Sequence, residues 1–62
     1  MKVEKVADKV YRVPVTAGEY VGIFAANQRW VISHPRLRNT TTASFRDAKR
    51  LAFDFIRKEL RR

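Results

Sequence analysis

Arginine is the side chain through which this sequence can do chemistry. Nine of the fourteen basic residues are Arg, and the planar guanidinium presents five N–H donors in a fork that matches phosphates and guanine edges. Arg46, Arg50, Arg57 and Arg61 fall within about 60° of arc when residues are stepped around a helix at 100° each. Arg36 and Arg38 flank Leu37 just after Pro35, Arg29 opens a Trp-Val-Ile run, and Arg12 interrupts a valine-rich stretch. Such a set suits a polyanion. A plainer use of the helical stripe is to keep one face wetted.

The inventory for catalysis is thin by comparison. His34 is the only histidine and there is no cysteine, so a metal site would have to be built from carboxylates alone. Ser33 and His34 are neighbours on a strand-like run and point to opposite faces, which prevents a nucleophile–base pair within one chain. The six carboxylates are scattered, and both glycines are isolated, so no phosphate-cradling loop is present. The chain therefore reads as not an enzyme, with no catalytic residue, metal ligand or cofactor expected. His34 reads as a strand-end residue.

The element best placed to carry arginines is a helix over residues 44–60. Ala48, Leu51, Ala52, Phe55 and Ile56 recur at i, i+3, i+4, i+7 and i+8, the spacing of one helical face. Phe45, Phe53 and Leu60 widen that face. Ser44 is an N-cap residue and Asp47 sets a carboxylate in the first turn, while Lys58, Arg61 and Arg62 sit in the last, each where the helix dipole favours its sign. Asp54 lies four residues from both Arg50 and Lys58, close enough to pair with either.

Upstream the period changes to two. Residues 9–15, 20–25 and 29–34 are rich in Val, Ile, Tyr, Phe and Trp and read as three strands. Pro14 marks the first as an edge strand. Residues 16–19 read as one turn and 26–28 as another, with Asn27 as the left-handed residue. Residues 1–8 read as an arm or short edge strand. Residues 35–39 read as a basic loop, and 40–42 as extended chain or a short strand leading into the helix. The predicted fold is α+β: a three-stranded antiparallel β-sheet packed against one C-terminal α-helix, in the order β-β-β-α. One helix covers one side of a sheet, and Val21, Ile23 and Val31 read as an apolar set left without cover.

Length and charge set the rest. Sixty-two residues make one domain, residues 1–62, near the lower limit for folding without disulfides or metal. Residues 1–28 carry four basic and three acidic groups, whereas 29–62 carry ten and three, within a formal net charge of +8. That field draws nucleic acid first, with ribosomal surfaces, anionic membrane and acidic proteins behind it. Residues 1–8 alternate charge with valine and do not resemble a signal peptide, and no apolar run is long enough to span a bilayer. The expectation is a soluble cytoplasmic protein with no membrane partner.

Three segments resemble a known family. Tyr20-Val21-Gly22-Ile23, then residues 28–35 reading Gln-Arg-Trp-Val-Ile-Ser-His-Pro, then Ala43-Ser44-Phe45-Arg46-Asp47-Ala48 are similar to the APETALA-type DNA-binding domain. They are similar also to the arm-binding domains of phage and transposon tyrosine recombinases. The resemblance covers residues 20–56. It implies a helix behind a three-stranded sheet whose open face enters the DNA major groove, with Arg29, Trp30, Arg36 and Arg38 as contacts. Trp30 also fits a core position. The chain departs from the family where arginines should follow the glycine, since Ile23, Phe24, Ala25 and Ala26 stand there. The family's last strand is weak between residues 39 and 45, and sheet readout leaves the helical stripe unused.

The expected function is a small basic nucleic-acid-binding protein, DNA favoured over RNA, of the kind a phage or mobile element uses as regulator or accessory factor. The candidate contacts are Arg12, Arg29, Trp30, Arg36, Arg38, Arg46, Arg50, Arg57 and Arg61. The alternative is a protein-binding module, meeting an acidic partner or pairing with a second copy through the spare sheet face.

Overall fold

A computed structural model describes residues 2–16 and 18–60. Among the described residues five strands form one sheet: β1 (Glu4–Ala7), β2 (Val10–Thr16), β3 (Glu19–Ala26), β4 (Arg29–His34) and β5 (Leu37–Thr42). The helix α1 (Phe45–Phe55) follows and continues as a wider π-type turn over Ile56–Leu60. Strand order in space is the order in sequence, and every pairing is antiparallel. The fold is α+β with one C-terminal helix, but its sheet has five strands and the expected three is an undercount.

The two added strands are those with little apolar content of their own. Residues 4–7 reach strand geometry by pairing Glu4 with Arg12 and Lys5 with Tyr11. Residues 37–42 do so by pairing Thr40, Thr41 and Thr42 with Ile32, Val31 and Trp30, where β-branched threonines suit the pleat. The expected loop over 35–39 therefore shrinks to the two-residue turn Pro35-Arg36. Asn27 and Gln28 both take positive φ, 52° and 63°, which makes the β3–β4 connection a type I′ hairpin whose twist matches its strands. The β2–β3 turn contains Ala17, outside the described residues.

Cross-strand register settles which side of the sheet is covered. Ile23 pairs with Ile32 and Tyr11 with Ile23, and Val13 pairs with Val21. Paired residues share a face, so these side chains form one row system beneath the helix. Val13, Val21, Ile23 and Ile32 are fully buried there, with Ala48, Ala52 and Ile56 of the helical segment against them. Each large aliphatic buried this way contributes about 1.5–3 kcal/mol. Val21 and Ile23 are thus core, and Val31 lies on the opposite face with Phe24 and Val10. Of the apolar set expected without cover, Val31 keeps that place and Val21 and Ile23 do not.

Ala48 and Ala52 mark the line of closest approach, because small residues at a contact let a helix sit low on its sheet. Phe45, Phe53, Phe55 and Leu60 pack beside that line. Leu51, expected on the covered face, is 40% exposed and lies at the margin of the footprint. The cap is as the sequence implies: the Asp47 N–H donates to Ser44 Oγ at 3.2 Å, and the Thr42 hydroxyl donates to the Ser44 carbonyl at 2.7 Å.

Candidate nucleic-acid interface

Among the described residues the arginines lie on two surfaces, one on each side of the sheet. On the helix side, Arg46, Lys49, Arg50 and Arg57 surround Phe53 and line a concavity of about 240 Å³. A second hollow of about 480 Å³ adjoins it, lined by Lys2, Lys5 and Lys49 around Val3, Tyr11, Phe45 and Phe53. Lys49 and Phe53 belong to both, so the two hollows adjoin and make up a trough that runs from α1 toward the β1 edge. Among the described residues no carboxylate lines either part.

Pairing sharpens this contrast. Asp54 bonds Arg57, one helical turn on, and not Arg50 as its spacing also allowed. Arg46, Lys49 and Arg50 have no ion-pair partner among the described residues. Arg61, the fourth member of the stripe, lies outside the described residues, as does Arg62. Three of the four stripe arginines are therefore brought to one trough. Lys2, Lys5 and Lys49 are additions that the reading of arginines alone missed. The signal for Lys5 was its position opposite Tyr11, which becomes visible once residues 4–7 are seen as a strand.

On the sheet side the arginines are more committed. Arg12 Nε donates to Glu4 Oε1 at 2.8 Å, and its guanidinium lies 5.3 Å from the Tyr20 ring centroid. Arg29 Nε donates to Thr41 Oγ1 at 3.2 Å. Arg36 in the turn and Arg38 on β5 are exposed. Trp30 is not with them. It pairs with Thr42 and Ala25 on the helix-facing side, its ring 4.9 Å from Phe45 and 6.0 Å from Tyr11. Strand alternation puts Arg29 and Trp30 on opposite faces, so Trp30 packs the core edge and does not join a surface with Arg29.

His34 is fully engaged. Its Nδ1 accepts the Arg36 backbone N–H at 3.0 Å, which leaves Nε2 as the protonated nitrogen of the neutral ring, donating to Glu19 Oε2 at 3.0 Å. Phe55 meets the ring edge-on at 5.3 Å. Ser33, by contrast, is exposed on the other face. The histidine clips the β4–β5 turn to β3 and to the helix. Among the described residues no three His, Cys, Asp or Glu side chains gather, and no helix is long and apolar enough to cross a membrane.

Comparison with protein-family models, with curated proteins and with solved structures returned no match.

Proposed function

We propose that this chain is a nucleic-acid-binding module that holds duplex DNA by its phosphates through the trough between α1 and β1. The observation that carries the reading is the convergence of Lys2, Lys5, Arg46, Lys49, Arg50 and Arg57 on one surface that no carboxylate lines among the described residues, Asp54 meeting Arg57 alone of the set. The helical segment supplies Arg46, Lys49, Arg50 and Arg57, β1 supplies Lys5, and Lys2 stands just before that strand; each phosphate such cations neutralise releases counterions. DNA is favoured over RNA because the exposed helix face can approach the wide B-form major groove, whereas the A-form major groove is too narrow to admit it. Contacts mainly to phosphate position the protein without strong sequence choice, which suits an accessory factor or regulator of a phage or mobile element.

The test is fluorescence anisotropy with a labelled duplex of about 20 base pairs, a length that spans two helical turns. The variant Arg46→Gln/Arg50→Gln/Arg57→Gln removes three candidate contacts and should bind at least ten-fold more weakly at low salt. Unchanged affinity in that variant contradicts the reading. Failure of the wild-type protein to bind at about 50 mM salt contradicts it too, and turns the same cations toward an acidic protein surface.

A further inference from the structure

The face of the sheet turned away from the helix holds a groove that the duplex-binding trough does not use. Tyr20, Gly22 and Phe24 of β3 line it, together with Ser33, His34, Pro35 and Arg36 from β4 and the turn after it, enclosing about 530 Å³. Its floor is low because Gly22 and Ser33, two of the smallest residues, stand opposite each other in register. Its walls are aromatic. Tyr20 is 53% exposed and Phe24 is partly exposed, both on the same face, and four residues of strand separate them by about 13 Å.

We infer that this groove binds single-stranded nucleic acid, with unpaired bases stacking on Tyr20 and Phe24 and the backbone tracking the arginines at its rim. The inference rests on the nucleic-acid reading above but uses the opposite face and a different form of the polymer. Bases inside a duplex are already stacked on each other, so only unpaired ones are free to stack on these rings. Stacking is tolerant of sequence because every base has a π-face.

Charge selects this occupant over another protein copy. Arg36 lines the groove, Arg12 lies against the Tyr20 ring, and Arg29 stands on the same face beside Val31 and Thr41. Among the described residues Glu19 is the one carboxylate lining it, and its Oε2 is held by His34. A polyanion meets these cations favourably, whereas a two-fold pairing of identical faces would bring arginine rims together.

Three single substitutions and the helix variant decide the matter, each measured by anisotropy with a labelled twelve-base oligothymidine and with the duplex probe. Tyr20→Ala should weaken oligothymidine binding roughly ten-fold or more, the effect of losing one stacking partner, and Tyr20→Phe should keep it. Gly22→Val fills the floor. A Cβ at Gly22 meets only Ser33 O at 3.7 Å and Ser33 Cβ at 3.8 Å, ordinary contacts, and valine favours strand geometry; with an unchanged circular dichroism spectrum and thermal midpoint as the check on folding, the variant should still lose single-strand affinity. Duplex affinity should hold in all three. Oligothymidine affinity unchanged in both Tyr20→Ala and Gly22→Val overturns the proposal. If affinity is instead lost only in Arg46→Gln/Arg50→Gln/Arg57→Gln, the strand lies on the helix side; the groove is then wrong while the nucleic-acid reading stands. A wild-type dimer that Gly22→Val converts to monomer also overturns it, by making the face a self-pairing surface. Absence of binding to either probe sinks both readings together.

Discussion

At the scale of single residues, His34 shows how a side chain that could do chemistry is instead used for structure. Strand alternation alone separates it from Ser33, and that much is legible in the sequence. Its partners are not, because the Glu19 carboxylate comes from the far end of β3 and the Arg36 N–H exists as a donor only once Pro35-Arg36 closes a two-residue turn. With its side chain 3% exposed, His34→Ala strips one carboxylate and one backbone N–H of their partner and leaves a gap beside Phe55. The expected cost is about 2–4 kcal/mol, read as a lowered urea midpoint with unchanged slope. A loss under about 0.5 kcal/mol, the size of an ordinary surface change, would mean that the clip contributes little. Trp30 teaches a related lesson. Its neighbour Arg29 is exposed, and a contact list drawn by position in a resembled family takes both, while a pleated strand can present only one of them to a given surface.

At the scale of elements, what could be read depended on where the information lies. The helix was legible because its 3.6-residue period, its Ser44 cap and its first-turn Asp47 are all local. Ser44→Ala should cost about 1 kcal/mol in stability by releasing the Asp47 N–H. Far-ultraviolet circular dichroism on thermal unfolding checks this, and an unchanged midpoint would contradict it. Ala52→Leu should be worse than its helix propensity implies. It thrusts a large side chain into the closest approach of helix and sheet, with an expected loss of about 1–3 kcal/mol in the same measurement. Strands β1 and β5 were harder to read, since residues 4–7 and 40–42 are charged or threonine-rich and gain their shape from neighbours. The sheet's covered face was equally hidden. A period of two separates Val21 and Ile23 from Phe24, but only the Ile23–Ile32 register says which set meets the helix. Leu51 fits the helical period and still falls at the edge of the contact, because two alanines centre the footprint on Ala48, Ala52 and Ile56.

At the scale of the whole molecule, charge is the property most plainly carried by composition. A formal net charge of +8 on sixty-two residues creates a field that attracts polyanions without regard to fold. The fold adds direction to it. Glu4 and Asp54 take up Arg12 and Arg57 in part, and Glu19 takes His34, while Lys2, Lys5, Arg46, Lys49 and Arg50 are left around one trough. The opposite face keeps its arginines at the rim of an aromatic groove. Arginines on both sides of a layered fold were visible in the sequence as two groups. Their separation by the sheet, and the lysines that complete the helix-side group, required the strand order.

The most direct test of this account is the salt dependence of duplex DNA binding between about 50 and 200 mM. Contacts from Lys2, Lys5, Arg46, Lys49 and Arg50, with Arg57 shared with Asp54, predict an affinity that falls on the order of 10³-fold over that range, with a log–log slope near −5. The Arg46→Gln/Arg50→Gln/Arg57→Gln variant should reduce that slope by about three, and Arg36→Gln/Arg38→Gln should leave it nearly unchanged. A slope that responds to the sheet-side pair and not to the helix-side set would contradict the account and place the duplex on the sheet.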